Sequence, residues 1–276
     1  MNSTALLRRF RPFHVLATAA LAYAWLAAPV AQATVSLATG GTLAVGIEYV
    51  APAFVGGAKV RTPEGVDTVL ADDLAHRLSA VAQAMPFSVA NPVQSLDDGK
   101  ARVLLVPVPD SDPVAGASAL LIPTGYAAGA MAIMRSDTDI KRWEQLDGRT
   151  VCLAEGGRYV GKLAAKYGAI EKVFMAPADS LLALRIGGCD AAVHDSALLT
   201  ELIKLPEWKK FSARLPVQEL RPLAFAVSVR DAESADYLKQ VAKDWARTGY
   251  LEKITKAAVQ DIAFEVYLDQ TVTDCH

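Results

Sequence analysis

The sequence predicts a secreted α/β chain of two lobes, each built on a parallel sheet. Three observations carry that expectation. Strand-like and helix-like segments alternate along most of the 276 residues, the alternation starts afresh after Tyr126, and a removable leader precedes it all. Residues 1–33 are the leader. Arg8, Arg9 and Arg11 make a basic start without acids, "VLATAALAYAWLAA" is a short apolar centre, and Ala31 and Ala33 fit the small-x-small pattern read by signal peptidase. Those fourteen apolar residues fall short of the roughly 20 that a membrane-spanning helix needs.

The elements follow in order. "GTLAVGIEYV" is a short buried strand over Thr42 to Ile47, and "FVGGAKVRTPEG" has the Gly and Pro content of a turn. Val66, Val69, Leu70, Leu74, Leu78 and Val81 recur at helical spacing, so a helix is expected from Gly65 onward. "FSVAN" and "RVLLVPV" read as strands, the second ended by its prolines. After Tyr126, "GAMAIMR", "TVCLAE", "KVFMAP", "DAAVHD" and "PLAFAVSV" are strands. Between them, "GGRYVGKLAAKYG" reads as a helix opening on a Gly-Gly turn, "ADSLLALRIGG" as a helix closed by Gly187-Gly188, and "SALLTELIKL" as a third. "AESADYLKQVAKDWARTGYLEKITKAAV" is helical and broken around Gly249.

Composition narrows the partners. Hydrophobic residues make up 52% of the chain and its formal charge is -2, falling to -5 once the three leader arginines are removed. A mildly acidic surface argues against nucleic acid or an anionic membrane as the main partner, and no second long apolar run calls for membrane insertion after cleavage. The leader places the mature chain in an oxidising compartment. No paired Cys/His spacing suggests a metal.

Several segments, in order, resemble the periplasmic solute-binding proteins of ABC importers, specifically the family that binds polar amino acids. "GTLAVGIEYVAPAF" is similar to the family's opening strand and aromatic loop, "GVDTVLADDLAHRL" to its first helix, and "SLDDGKARVLLV" to its third strand. "GAMAIMRSDTDIKRWEQLDGRTVCLAEGG" is similar to its hinge strand and second-lobe strand, "ALRIGGCDAAVHDSALL" to its "G-x-x-D-A-x-x-x-D" element, and "PLAFAVSVRDAESADYLKQVAKDWARTGYLEKI" to its return hinge and closing helices. The resemblance covers residues 40–256. It implies the type II periplasmic-binding fold: lobe one as 34–124 plus 227–276, lobe two as 125–226, two hinge strands, and closure on a small-molecule ligand presented to importer membrane subunits. It also implies a periplasmic monomer without a cofactor.

Ligands of open parallel sheets bind beyond the carboxyl ends of strands. Here those ends are Glu48-Tyr49, Pro107 to Ser111 with Asp110, Glu155 to Arg158 with Gly157 and Tyr159, and His194-Asp195. The resemblance gives Asp195 to the ligand's amino group; as a bare residue it also suits the cap of the helix that follows. Gly156-Gly157 before a helix start would offer free N–H groups, and Arg158 could grip a carboxylate or pair with Glu155 on the surface. Tyr49 and Phe54 are either aromatic walls over a ligand or core residues. The chain departs from the family at "VPVPDSDPVAGASALLIPTGY", which lacks the arginine that holds a ligand's α-carboxylate and carries Asp110 and Asp112 instead. Either Arg158 takes over that carboxylate, or the ligand has none and is neutral or cationic.

The adjacent letters His194, Asp195 and Ser196 evoke a hydrolase triad. Consecutive strand residues point to opposite faces, however, and no G-x-S-x-G elbow surrounds Ser196. If the second-lobe strands run in the order 2-1-3, Cys152 and Cys189 lie on neighbouring strands and form a disulfide without catalytic meaning. The expected function is solute capture, not catalysis. The alternatives are a protein-binding or sensory module on the same fold and a cyclohexadienyl dehydratase-like lyase, for which Glu155 and Asp110 are the acid candidates.

Overall fold

The computed structural model describes residues 37–38, 41–51, 59–108 and 118–270. Contacts divide the chain into Met1–Thr34 and Val35–His276, and the fold described here lies in the second unit. The leader, Phe54, Asp110, Ser111 and the tail beyond Gln270 lie outside the described residues.

Strand β1 (Thr42–Ile47) leads to helix α1 (Asp67–Arg77), edge strand β2 (Val81–Pro86), the single turn α2 (Gln94–Asp97) and strand β3 (Val103–Pro107). A 16-residue strand β4 (Ala119–Met134) comes next, then β5 (Thr150–Ala154), α3 (Lys162–Tyr167), β6 (Ile170–Phe174), α4 (Pro177–Arg185), β7 (Ala191–Asp195) and α5 (Ser196–Leu202). The two-residue β8 (Ala213–Arg214), the long β9 (Gln218–Ser228), α6 (Ala232–Thr248) and α7 (Tyr250–Asp269) complete the order.

Among the described residues all strands join one sheet, in the order β2-β1-β3-β9-β4-β7-β5-β6, with β8 on β4. Its two ends are parallel, β2-β1-β3 and β7-β5-β6, as alternating strands and helices require. Its middle is the antiparallel pair β4 and β9. The ladder of this pair slips register between Pro123 and Ala127 and again between Ala128 and Ala130. At the first slip the backbone is held otherwise. Thr124 Oγ1 donates to Leu223 O at 2.7 Å and accepts from Tyr126 N at 3.1 Å, while Gly125 takes a left-handed φ of 90°.

Each end of the sheet is covered on both faces. Leu43, Val45, Ile47, Leu70, Leu74, Phe225 and Trp245 form one core, with Phe87, Leu104, Val106 and Ala226 on the opposite face. At the other end, Met131, Ile133, Leu181, Leu199, Trp208 and Phe211 lie on one face and Trp143, Val151, Leu153, Leu163 and Val193 on the other. Val259, Ile262 and Val266 of α7 pack into the core beneath α4 and α5, although α7 continues from α6, which covers the β1 end.

Three local expectations shift. The first helix stops at Arg77 and Val81 opens β2, because Ser79 turns the chain with a φ of 53°. The strand expected over 87–91 therefore lies earlier, at 81–86. The helix expected after Gly156-Gly157 starts only at Lys162, behind a left-handed Gly161.

Cys152 and Cys189 are joined, with Cα atoms 5.9 Å apart across a 37-residue separation. Closing a loop of that size contributes about 3 to 4 kcal/mol in the chain-entropy account. Urea unfolding with the bond reduced should show a stability loss of that order relative to the oxidised protein. Gly129 offers a second check, because a Cβ there would lie 2.4 Å from Gln218 O and 2.9 Å from the Leu220 backbone. Gly129→Ala should lower the urea midpoint by an amount worth about 2 to 3 kcal/mol, because the clash is with the facing strand itself.

Candidate functional site

At the carboxyl ends of β1, β5 and β7 the structure gathers Glu48, Tyr49, Arg158, Tyr159 and Asp195, all anticipated, together with Glu64, Asp67 and Tyr126, which were not. The chain after β1 returns through Pro63-Glu64-Gly65 to begin α1 at Asp67, placing two more carboxylates over the strand ends. Asp67 stands in the first turn of α1, where the helix dipole favours an anion.

Arg158 lies at the centre, its side chain mostly buried. Its Nε is 3.5 Å from Glu48 Oε2 and its Nη2 3.6 Å from Asp67 Oδ1. It is therefore not a surface arginine paired with Glu155, which accepts a 3.4 Å hydrogen bond from Tyr49 Oη. Glu48 Oε2 and Asp67 Oδ1 are buried and have no hydrogen-bond partner. Both face a guanidinium that is near enough to attract them but too far to bond them. Burial works against the charge of Arg158, but Asp195, Asp67 and Glu48 hold its pKa above the ordinary arginine value.

Asp195 ends β7 and stands at the N-cap of α5, yet its side chain makes no capping bond. Tyr159 Oη donates to its Oδ1 at 2.6 Å and Tyr126 Oη to its Oδ2 at 3.4 Å. Burial raises the pKa of both Tyr159 and Asp195, and the short bond between them joins a phenol to a carboxylate. Tyr159 is thus a support for Asp195, inside the protein. Gly157 differs from expectation as well: its N–H is taken by Ala154 O at 3.1 Å. The real helix start, at α3, is also used, since Gly161 N and Ala164 N both donate to Glu171. Gly156 has a φ of 76°, and a Cβ there would fall 2.2 Å from the Tyr49 ring, so the glycine lets that ring lie on the backbone.

His194 sits between two partners. Ser180 Oγ is 2.7 Å from its Nε2, and Glu64 Oε2 is 2.6 Å from its Nδ1. This is a serine–histidine–acid relay, built from residues other than the adjacent letters 194–196. Ser196 Oγ instead accepts from Gly129 N at 3.1 Å. Ser180 Oγ also lies 2.9 Å from Pro177 O, and the His194 tautomer decides which of the two accepts the hydroxyl proton. The other oxygen of Glu64 accepts from Asp195 N at 3.2 Å. Ser180 and His194 have no exposed surface, so the relay offers no nucleophile to a substrate. Among the described residues no grouping of His, Cys, Asp or Glu is arranged to hold a metal.

No protein-family model matches the chain, and no curated protein does. Solved structures do match. An ancestral cationic amino acid solute binding protein aligns with a TM-score of 0.55 and 20% identity over 79% of this chain and 96% of its own. A mutant of ArgBP from T. maritima gives 0.52 and 22% over 78% and 93%. The substrate-binding protein AbpA of an amino acid ABC transporter from Streptococcus pneumoniae, bound to L-arginine, gives 0.52 and 17% over 80% and 96%. The chain has the two-lobed type II solute-binding fold. β4 and β9 run through the middle of the sheet, and the acidic group stands at the carboxyl ends of β1, β5 and β7. Among the described residues, the cavity lined by these acids and Arg158 measures about 20 Å³, room for roughly one water.

Asp67 gives a pH signature. Burial, opposed by Arg158 and reinforced by Asp195 and Glu48, pushes its carboxyl up to about 6. A carboxyl raised in the folded state contributes stability that is full below its unfolded value, near 4, and is lost as pH rises through 6. Chemical denaturation should show a fall of about 3 kcal/mol from this group between pH 4 and 7. Asp67→Asn should flatten that slope and leave stability at pH 7.5 equal to or above that of the unaltered protein.

Proposed function

We propose that the chain is a periplasmic solute-binding protein that captures a small cationic ligand, amino-acid-like or amine-bearing, between its lobes. It hands that ligand to the membrane subunits of an ABC importer, and it acts as a monomer without a cofactor or a reaction of its own. In this reading the lobes are residues 34–124 with 227–276 and residues 125–226, and α7 straps the first to the second.

One observation carries the choice of ligand. Glu48, Glu64, Asp67 and Asp195 line the cleft cavity, and Arg158 is the only Lys or Arg among its lining residues. With Glu64 bonded to His194, three carboxylates face one guanidinium. The surplus favours an ammonium or guanidinium over an anion or an uncharged sugar. The names of the solved neighbours point to arginine and cationic amino acids; at their low identity it is the charge of this cleft that makes the comparison relevant. The missing first-lobe arginine of the sequence supports the same sign.

A second reading is favoured by the small cavity: a protein-binding or sensory module whose cleft no longer admits a solute. A thermal-shift and calorimetric screen of amino acids, polyamines and organic acids separates the two. The transport reading expects a rise in melting temperature with basic amino acids or amines and none with dicarboxylates. Asp195→Ala should weaken the responding ligand about 30-fold or more, as loss of a charged hydrogen bond does. A screen without any response would sink the transport reading.

A further inference from the structure

We propose that Arg158 is an internal occupant of the cleft's cation site, a tethered guanidinium that closes the two lobes on themselves and that any ligand must displace. The inference deepens the cationic-ligand reading and rests on it for the word ligand alone.

The loop between β5 and α3 carries Arg158 from one side of the cleft, while Glu48 and Asp67 belong to β1 and α1 on the other. A guanidinium reaching across between carboxylates makes the contact a cationic ligand would make. Its fit is imperfect in a specific way. At 3.5 and 3.6 Å the two ion pairs are not hydrogen bonds, and the facing oxygens of Glu48 and Asp67 remain buried without partners. A free ammonium or guanidinium could approach these oxygens to about 2.8 Å and satisfy both. The site therefore binds its own arginine well enough to close, yet leaves a better-fitting cation something to gain.

Other groups bridge the same two sides. Glu64 meets His194 at 2.6 Å and accepts from Asp195 N, and Arg61 reaches Asp179 at 2.8 Å. Tyr49 spans to Glu155. With these bridges made and Arg158 in place, the cavity that the described residues leave around Arg158 is about 20 Å³, too little for an amino acid. Entry requires the lobes to part and Arg158 to leave its acids. That substitution makes Arg158 a determinant of affinity: it competes for the site it occupies, and the competition is lost only to a cation.

Small-angle X-ray scattering of the mature chain tests this without the natural ligand. The unaltered protein should be compact and should not change with millimolar methylguanidinium. Arg158→Ala should have a larger radius of gyration, and methylguanidinium, but not tetramethylammonium at equal ionic strength, should restore the compact value. Calorimetry should show methylguanidinium binding Arg158→Ala at least about tenfold more tightly than the unaltered protein. The double variant E48Q/D67N removes the acids and keeps the arginine. It too should expand, with no rescue, so the proposal stays testable if Arg158→Ala fails to fold. An expanded unaltered protein, a compact E48Q/D67N, or an Arg158→Ala that folds and stays compact or ignores methylguanidinium would each overturn it. Because the readout is shape with a surrogate cation, a solute screen without hits would leave the result standing.

Discussion

Everything at the cleft depends on how buried negative charge is balanced. Glu48, Glu64, Asp67 and Asp195 sit together at the strand ends, and isolated buried carboxylates are too costly to keep ionised. Each is answered differently. Glu64 bonds His194 and the Asp195 backbone, Asp195 accepts from two tyrosines, and Glu48 and Asp67 lean on one guanidinium. The last answer is the weakest, since it supplies charge without hydrogen bonds. Raised carboxyl pKa values at Asp67 and Asp195 express the same imbalance. The proposed preference for positive charge and the proposed role of Arg158 in closure therefore rest on one electrostatic fact.

The proposed lobe closure would act through the middle of the sheet. β4 and β9 run through both halves of the sheet, and their ladder is interrupted where Thr124, Gly125 and Tyr126 replace strand bonds with side-chain ones. Flexure concentrated there leaves the cores on either side intact, because each is covered on both faces. Tyr126 connects the two levels directly: it follows the slipped residues and reaches Asp195. α7 sets a limit on the motion. Its Val259, Ile262 and Val266 are buried beneath α4 and α5, and near its end Glu265 and Asp269 hold Thr62 and Arg61.

The architecture was legible because its signals are local. Alternating apolar runs marked the strands, and a carboxyl-end rule placed Glu48, Tyr49, Arg158 and Asp195 at one cleft before any contact was known. What stayed hidden was pairing across the chain. Glu64 lies 130 residues from His194, and Pro-Glu-Gly looks like an ordinary turn. Asp67 carried a usable signal that went unread: a helix following β1 must start at the same strand end, so its first-turn acid belongs to the cleft. Tyr159 lies at the expected strand end, and its hydroxyl bonds Asp195, a pairing hidden because a sequence does not say whether a phenol faces a ligand or the neighbouring carboxylate. The Gly156-Gly157 turn misled for a different reason. Gly-Gly marks a place where the backbone bends sharply, and here the bend admits the Tyr49 ring and not an anion.

The serine–histidine–acid relay shows why residue type and geometry together still do not make chemistry. Ser180, His194 and Glu64 have triad distances, but the serine and the histidine have no exposed surface. A sealed hydroxyl meets no substrate. In the proposed opening the relay would not be preserved, since Glu64 belongs to the turn before α1 and the other two residues to α4 and β7. Its work is positional: it fixes one Glu64 oxygen on His194 so that the other can hold the Asp195 backbone, keeping that carboxylate turned toward the tyrosines and Arg158. What resembles catalytic machinery is one of the bonds by which closure is maintained.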